Sequence, residues 1–164
     1  MWKSSAIGSI IQDMVIRDAK IQDVKRIHEL INHYAEVERM LFASVSDIYE
    51  KLLTFVVAED GGRVVGCCGV QVLWENLAEI KSLAVDEQYF GRGVGRAMVQ
   101  GCMDKARGLG LGKVFTLTLE PEFFEKLGFV RVQKDALPMK VWSDCANCPK
   151  QDHCDEIALE AELR

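Results

Sequence analysis

The sequence has no apolar run that approaches the roughly 20 residues needed to cross a lipid bilayer. Residues 1–13 contain one lysine and a short apolar stretch, with no convincing cleavage site after it. We therefore expect neither a membrane partner nor a signal peptide, and we expect the protein to lie in the cytoplasm. We interpret residues 1–13 as an N-terminal extension and residues 14–164 as a single domain.

A basic excess is also missing. The 164 residues include 20 lysines and arginines against 25 aspartates and glutamates, which gives a net charge of −5. Because proteins that bind nucleic acids usually carry a basic face, we expect no nucleic-acid partner. Hydrophobic residues make up 49 % of the chain, which is ordinary for a globular protein with one core.

Disulfide bonds are not expected, because thiols in a reducing cytoplasm stay free or bind metals. Three of the six cysteines lie among apolar residues and are interpreted as small core residues: Cys67, Cys68 and Cys102. Cys145, Cys148 and Cys154 have a spacing that is typical of zinc ligands, with His153 or Asp155 as a candidate fourth ligand. Reduced thiols that pack the tail are the alternative.

Hydrophobic periodicity indicates alternating strands and helices. The pattern predicts strands over 15–18, 55–59, 64–73, 77–85, 113–119 and 129–132, with helices over 21–34, 44–53 and 121–128. A further helix follows the loop at 88–95, has its buried stripe over 98–106 and ends at 108–112. The strand–helix–strand unit from 77 to 119 implies a parallel pair of strands. The tail from Leu137 is predicted to be irregular. These elements indicate an α/β fold with a mixed sheet.

The most informative segment is residues 88–96, which read QYFGRGVGR between an apolar strand and an amphipathic helix. Glycines let backbone N–H groups crowd around phosphate oxygens, and a helix N-terminus adds positive potential. The segment therefore predicts a pyrophosphate cradle, while a tight strand-to-helix turn is the structural alternative. A Walker loop does not fit, because Arg96 and Ala97 follow Gly95. A dinucleotide fold is disfavoured, because the loop lies past mid-chain and reads G-x-G-x-G.

The segments SLAVDEQYFGRGVGRAMV and PEFFEKLGFVRV resemble the two signatures of the GNAT acyltransferases, in the order and at the distance found in that family. The segments MLFASVSDIYEKL, LAEIKSLAVD and LPMKVWSDC further resemble the short bacterial N-acetylglutamate synthases. The resemblance implies a mixed, mostly antiparallel sheet with a splayed parallel pair and helices on both faces. It also implies acetyl-CoA as cosubstrate.

The resemblance assigns the cofactor contacts to backbone groups. The pyrophosphate would be held by N–H groups of the loop, namely Gly91, Arg92, Gly93, Val94, Gly95 and Arg96. The pantetheine arm would pair with the strand end formed by Leu83, Ala84 and Val85. Phe90 stands where the family often has Gln or Arg, and we expect binding to survive because the contact is mostly backbone.

Direct acetyl transfer requires that the amine lose a proton and that the thiolate be stabilised as it leaves. The resemblance implies a carboxylate base on the strand before the loop, where Glu79 lies, with Glu120 in reserve. A salt-bridged or exposed strand residue is the alternative for Glu79. Phe124 stands where many members carry a tyrosine acid, so that role has no candidate. Phe123 and Phe124 are interpreted as core residues.

Glutamate is the acceptor that the resemblance implies, and its two carboxylates need cations. The short synthases commonly carry arginine in the loop that here reads Phe42-Ala43-Ser44, so we expect weak glutamate binding. The remaining candidates for substrate contact are Lys81, Ser82 and Lys140. Two alternatives stay open: an enzyme for another small amine or a protein N-terminus, and a catalytically silent module that binds acetyl-CoA or a metal. A homodimer is left open.

Overall fold

The apolar strands assemble into a seven-stranded sheet in the computed structural model, which describes residues 14–137 and 155–163. The strands are β1 (Met14–Asp18), β2 (Phe55–Asp60), β3 (Arg63–Trp74), β4 (Leu77–Val85), β5 (Lys113–Thr118), β6 (Val130–Val132) and β7 (Ile157–Glu162). Their order across the sheet is β1-β2-β3-β4-β5-β7-β6. The pair β4–β5 is parallel and the other described pairs are antiparallel, which confirms the predicted mixed, mostly antiparallel sheet.

Helices cover both faces of this sheet, as predicted. They are α1 (Val24–Ala35), α2 (Val45–Glu50), α3 (Val94–Gly108) and α4 (Pro121–Glu125). Successive strand residues point to opposite faces. Val57 and Cys67 therefore pack in a core with α1 and α2, whereas Val56 and Cys68 pack in a core with α3 and α4.

A capping box starts α2. The Ser44 hydroxyl accepts the Asp47 N–H at 3.0 Å, and the Asp47 carboxylate accepts the Ser44 N–H at 3.2 Å. The helix ends at Glu50, and a 3-10 turn over Leu52–Thr54 follows it, so the regular helix is shorter than the predicted 44–53.

The prediction of an irregular tail was wrong over Ile157–Glu162, which form β7. This strand pairs antiparallel with β5 along its whole length and with β6 on its other edge. The segment IALEAE is rich in alanine and glutamate, which have low intrinsic strand preference. Two neighbouring strands that offer unpaired backbone groups override that preference. The candidate substrate residue Lys140 and the candidate metal ligands Cys145, Cys148 and Cys154 lie outside the described residues.

A buried ion pair ties β1 to the start of α1. Asp23 is 4 % exposed, and its carboxylate accepts hydrogen bonds from the Arg17 guanidinium at 2.8 and 3.0 Å and from the Lys20 N–H at 2.7 Å. Burial acts to raise the pKa of Asp23, but the bonds from Arg17 and Lys20 outweigh it and lower the pKa below its ordinary value.

We expect Asp23→Asn to lower the free energy of unfolding by about 2 kcal/mol, because it removes the charged acceptor of two Arg17 hydrogen bonds and leaves Arg17 with the Glu59 carboxylate at 3.2 Å. Asp104→Asn in the exposed pair with Arg107 should cost less than about 1 kcal/mol. The contribution of the Asp23 carboxylate to the free energy of unfolding is complete above the ordinary aspartate pKa, about 3.9. It is lost as the pH falls through the lower pKa of Asp23 in the folded state. Urea unfolding as a function of pH measures both effects, and equal losses in the two variants would contradict the assignment.

Candidate active site

The parallel pair β4–β5 separates part-way along its length. Its ladder joins Leu77–Glu79 to residues 113–115 and stops there. The hydroxyl of Thr116, 2 % exposed, then donates to the Ile80 carbonyl at 2.9 Å. Past this bond β4 has no strand partner on that side within the described part of the chain. The result is a groove between the two strands.

A β-bulge bends β4 where the groove begins. Cys67 pairs with Ala84 and Gly69 with Lys81, so Ser82 and Leu83 together face Cys68. Ser82 has a φ of 57°, the left-handed region that is uncommon for residues other than glycine. Two residues against one interrupt the regular β3–β4 register and bend β4 at this point.

Backbone polar groups of the strand end point into this groove. The Asp86 N–H donates to the Val65 carbonyl of β3 at 2.9 Å, so the polar groups of Val85 and Leu83 point away from β3. The Tyr34 hydroxyl of α1 donates to the Val85 carbonyl. Burial, followed by the charges of Glu87 and Asp86, raises the pKa of Tyr34 to about 12, so this donor stays protonated at neutral pH.

The glycine loop leads from the groove into α3. Gly91 and Gly93 have φ of 76° and 80°, and Gly93 is the residue that caps the helix N-terminus. The first N–H of α3 that reaches a carbonyl is that of Ala97, which donates to Gly93 at 3.0 Å. The N–H groups of residues 94–96 therefore have no acceptor within the described residues and are available to an anion.

Neighbouring side chains hold the loop in place. The Arg92 guanidinium lies 4.9 Å from the ring centroid of Tyr89, whose hydroxyl donates to Asp60 at 2.6 Å. A Cβ at Gly95 would lie 3.3 Å from the Phe123 ring, so any larger residue would require this ring to shift by a few tenths of an ångström. Arg96 is exposed at the same helix end.

The predicted base Glu79 sits at the last paired position before the groove. It faces Gln71 of β3 and Phe115 of β5 and is 9 % exposed. Ala78 and Ile80 pack on the α3 side, so the Glu79 side chain projects from the opposite face of the sheet. The reserve candidate Glu120 lies at the end of β5, where its exposed carboxylate bonds the Arg39 guanidinium.

A cavity of about 350 Å³ opens on the same face as Glu79. Its walls come from the loop before α2, from α2 and the turn after it, and from β3 and β4: Leu41, Phe42, Ala43, Asp47, Ile48, Lys51, Thr54, Phe55, Gly69, Gln71, Lys81 and Ser82. The predicted substrate residues Lys81 and Ser82 are thus brought together, and Ala43 lies in the same wall.

Sequence reasoning missed Gln71 and Lys51 in this cavity. Gln71 is opposite Glu79 across the β3–β4 pair and accepts a hydrogen bond from Lys81 at 3.5 Å. Strand register would have indicated Gln71. No sequence signal marks Lys51, which reaches the cavity through the way α2 packs.

The Phe124 side chain has no polar atom that could donate a proton, and it lies in the core. It is 4 % exposed and packs edge-to-face against Phe123 and Phe129, with ring centroids 5.0 and 5.2 Å apart. Its interpretation as a core residue is confirmed. Phe123 is partly buried against the same core.

The three described thiols, Cys67, Cys68 and Cys102, are buried and free. Within residues 14–137 and 155–163, no cluster of three or more His, Cys, Asp or Glu residues is placed to hold a metal ion. No helix in this part of the chain is long and apolar enough to cross a membrane.

Comparison with known families identifies this arrangement. The Acetyltransferase (GNAT) family matches residues 17–129, which include the groove, the glycine loop and Glu79. The chain belongs to this family of N-acetyltransferases, as its two signature segments predicted.

More particular relatives are amino-acid acetyltransferases. The amino-acid acetyltransferase of Mycobacterium tuberculosis is 38 % identical over 133 residues, which cover 79 % of this chain and 76 % of that protein. An N-acetyltransferase of Chlorobaculum tepidum, described as uncharacterized, is 40 % identical over 151 residues, 92 % of this chain and 97 % of that protein. The predicted resemblance to this group is confirmed.

Solved structures agree with the curated relatives. Rv2747 from Mycobacterium tuberculosis, in complex with CoA and a ligand designated NLQ, has a TM-score of 0.80 and 31 % identity, covering 92 % of this chain and 99 % of that one. N-acetylglutamate synthase from Neisseria gonorrhoeae, complexed with coenzyme A and N-acetyl-glutamate, has a TM-score of 0.83 and 27 % identity. The match covers 92 % of this chain but only 35 % of the synthase chain.

We expect Gly93→Asp to abolish acetyl-CoA binding. The change places a Cβ and a negative charge at a left-handed position beside the free N–H groups, where a pyrophosphate would approach. Gly110→Asp is the matched control, because Gly110 also has a positive φ (90°) and nothing within 4 Å of its Cβ position. Calorimetry should show wild-type affinity for the control and none for Gly93→Asp. Wild-type affinity in Gly93→Asp would remove the loop from cofactor binding.

Proposed function

We propose that this N-acetyltransferase moves the acetyl group of acetyl-CoA directly to the amine of a small amino-acid substrate, with glutamate as the first acceptor to test. The observation that carries the proposal is the unpaired edge of β4. One end of this edge meets the glycine loop, and the other meets the cavity that contains Lys81 and Ser82. A long cofactor along the edge would present its acyl end to a molecule in the cavity.

The backbone of this chain supplies the proposed cofactor contacts. The N–H groups of residues 94–96 and the side chains of Arg92 and Arg96 would hold the pyrophosphate. The polar groups of Leu83 and the N–H of Val85 would pair with the amides of the pantetheine arm. Structural relatives with bound CoA support this placement.

Glu79 is the proposed general base. The substrate ammonium gives its proton to the Glu79 carboxylate, directly or through one water, and the amine nitrogen then attacks the thioester carbonyl carbon. The carbon–sulfur bond breaks as the new carbon–nitrogen bond becomes an amide, the nitrogen gives its second proton to water, and CoA leaves as the thiolate. Because the side chain is 9 % exposed, bulk water has little access to this carboxylate.

The leaving thiolate receives no proton from position 124, because Phe124 has no donor and is buried in the core. We propose that the thiolate leaves unassisted or takes its proton from water.

The free state of Cys67, Cys68 and Cys102 supports a reducing location, and we propose the cytoplasm.

We expect Glu79→Gln to lower kcat by about 10²- to 10⁴-fold and to leave acetyl-CoA affinity unchanged, because the amide cannot accept the proton. Glu120→Gln is the matched control, since its carboxylate is exposed and bonded to Arg39. Its kcat should stay near that of the wild type. Steady-state thiol release at saturating acceptor measures both variants. A loss confined to Glu120→Gln would transfer the role to that residue.

We expect Ala43→Arg to raise kcat/KM for glutamate far more than for a neutral amino acid. Ala43 lines the cavity, and its backbone is held by the Asn32 side chain at 3.1 and 3.3 Å, so an arginine there starts from a fixed position. A guanidinium would add a partner for a carboxylate. Equal effects on the two substrates, compared by initial rates, would show that the acceptor carboxylates lie elsewhere.

A further inference from the structure

The cavity beside Glu79 carries two lysines that come from different elements. Lys81 belongs to β4, two residues beyond Glu79 and on the same face of the sheet. Lys51 follows α2 and reaches the cavity from the helical wall. A substrate between the helix and the sheet would therefore meet a cation on each side.

Lys51 has no ion-pair partner among residues 14–137 and 155–163. Asp47 is the only acid among the described lining residues, and its carboxylate already accepts the Ser44 N–H that starts α2. The bonds from Ser44 lower the pKa of Asp47, and the Lys51 charge adds to this effect. The described lining therefore holds Lys51 and Lys81 beside an Asp47 carboxylate that is engaged in the helix cap, and the Glu79 carboxylate lies on the Lys81 side. Lys51, on the opposite wall, offers a cation to an anionic occupant.

The rest of the lining suits a short aliphatic chain. Phe42, Ile48 and Phe55 provide apolar surface between the helical and the sheet walls. An occupant with methylene groups in the middle and a carboxylate at each end would match apolar surface to its chain and lysines to its ends. Dicarboxylic amino acids have this form.

We propose that Lys51 binds the side-chain carboxylate of a dicarboxylic amino-acid acceptor and is the residue that selects it. This inference rests on the proposed acetyl transfer. The amine lies at Glu79, so the α-carboxylate, which is attached to the same carbon, meets the nearby Lys81. The side chain then crosses the cavity to Lys51. Because Ala43 lies in a loop where an arginine was expected, the sequence predicted weak glutamate binding. Lys51, which follows α2, supplies a cation to the cavity instead.

The test compares Lys51→Met with wild type on glutamate, glutamine and norvaline in the thiol-release assay. Loss of a charge-assisted hydrogen bond should lower kcat/KM for glutamate by about 10- to 100-fold, mainly through KM. The effect on norvaline should be within about 2-fold, because its side chain makes no such bond. Lys51→Arg should keep most of the glutamate activity. Lys25→Met removes the same charge at an exposed position of α1 and should leave all three rates unchanged.

Acetyl-CoA affinity equal to that of wild type shows that each variant is folded. An unchanged ratio of glutamate to norvaline activity in folded Lys51→Met would overturn the role of Lys51 and leave acetyl transfer standing. If the wild-type protein acetylates only neutral amino acids, the role of Lys51 is also overturned, and the proposed acetyl transfer still stands. Absence of thiol release with every amino acid would overturn both the proposed function and this inference.

Discussion

The structure depends on the point at which β4 and β5 stop pairing. Three residue pairs hold the strands together, and the Thr116 hydroxyl then takes the Ile80 carbonyl as a last connection. A continuous ladder would consume the backbone groups of Leu83 and Val85. Because the ladder ends early, the polar groups of Leu83 and the N–H of Val85 face an open groove in the middle of the sheet.

Two local features maintain this opening. The bulge at Ser82 and Leu83 bends β4, and the left-handed conformation of Ser82 persists because β3 pairs with β4 on both sides of it. On the helical side, the Tyr34 hydroxyl fixes the Val85 carbonyl from α1. The groove is therefore held by strand pairing on one edge and by a helix packed across one face.

The alternation of side chains along β3 and β4 places the glycine loop and the cavity on opposite faces of the sheet. Around Glu79, Val70 of β3 and Ala78 and Ile80 of β4 pack in the core with α3, which presents the glycine loop, whereas Gln71 and Lys81 face the cavity beside α2. Glu79 belongs to the second set but lies on the strand that borders the groove. The fold thus places a base beside the acyl end of a cofactor without any catalytic residue in the loop that would bind the phosphates.

The sequence by itself determined the order of elements through β5, the glycine loop with its helix, and the family, because these depend on local periodicity, turn chemistry and short signatures. It also indicated Glu79 and Lys81, which share one strand and one parity. Only the tertiary structure decided that Ile157–Glu162 form a strand, since pairing with β5 and β6 outweighs a weak local preference. The same holds for Lys51, which joins the cavity because α2 packs beside the β3–β4 pair, a contact between segments about 30 residues apart that no local pattern encodes.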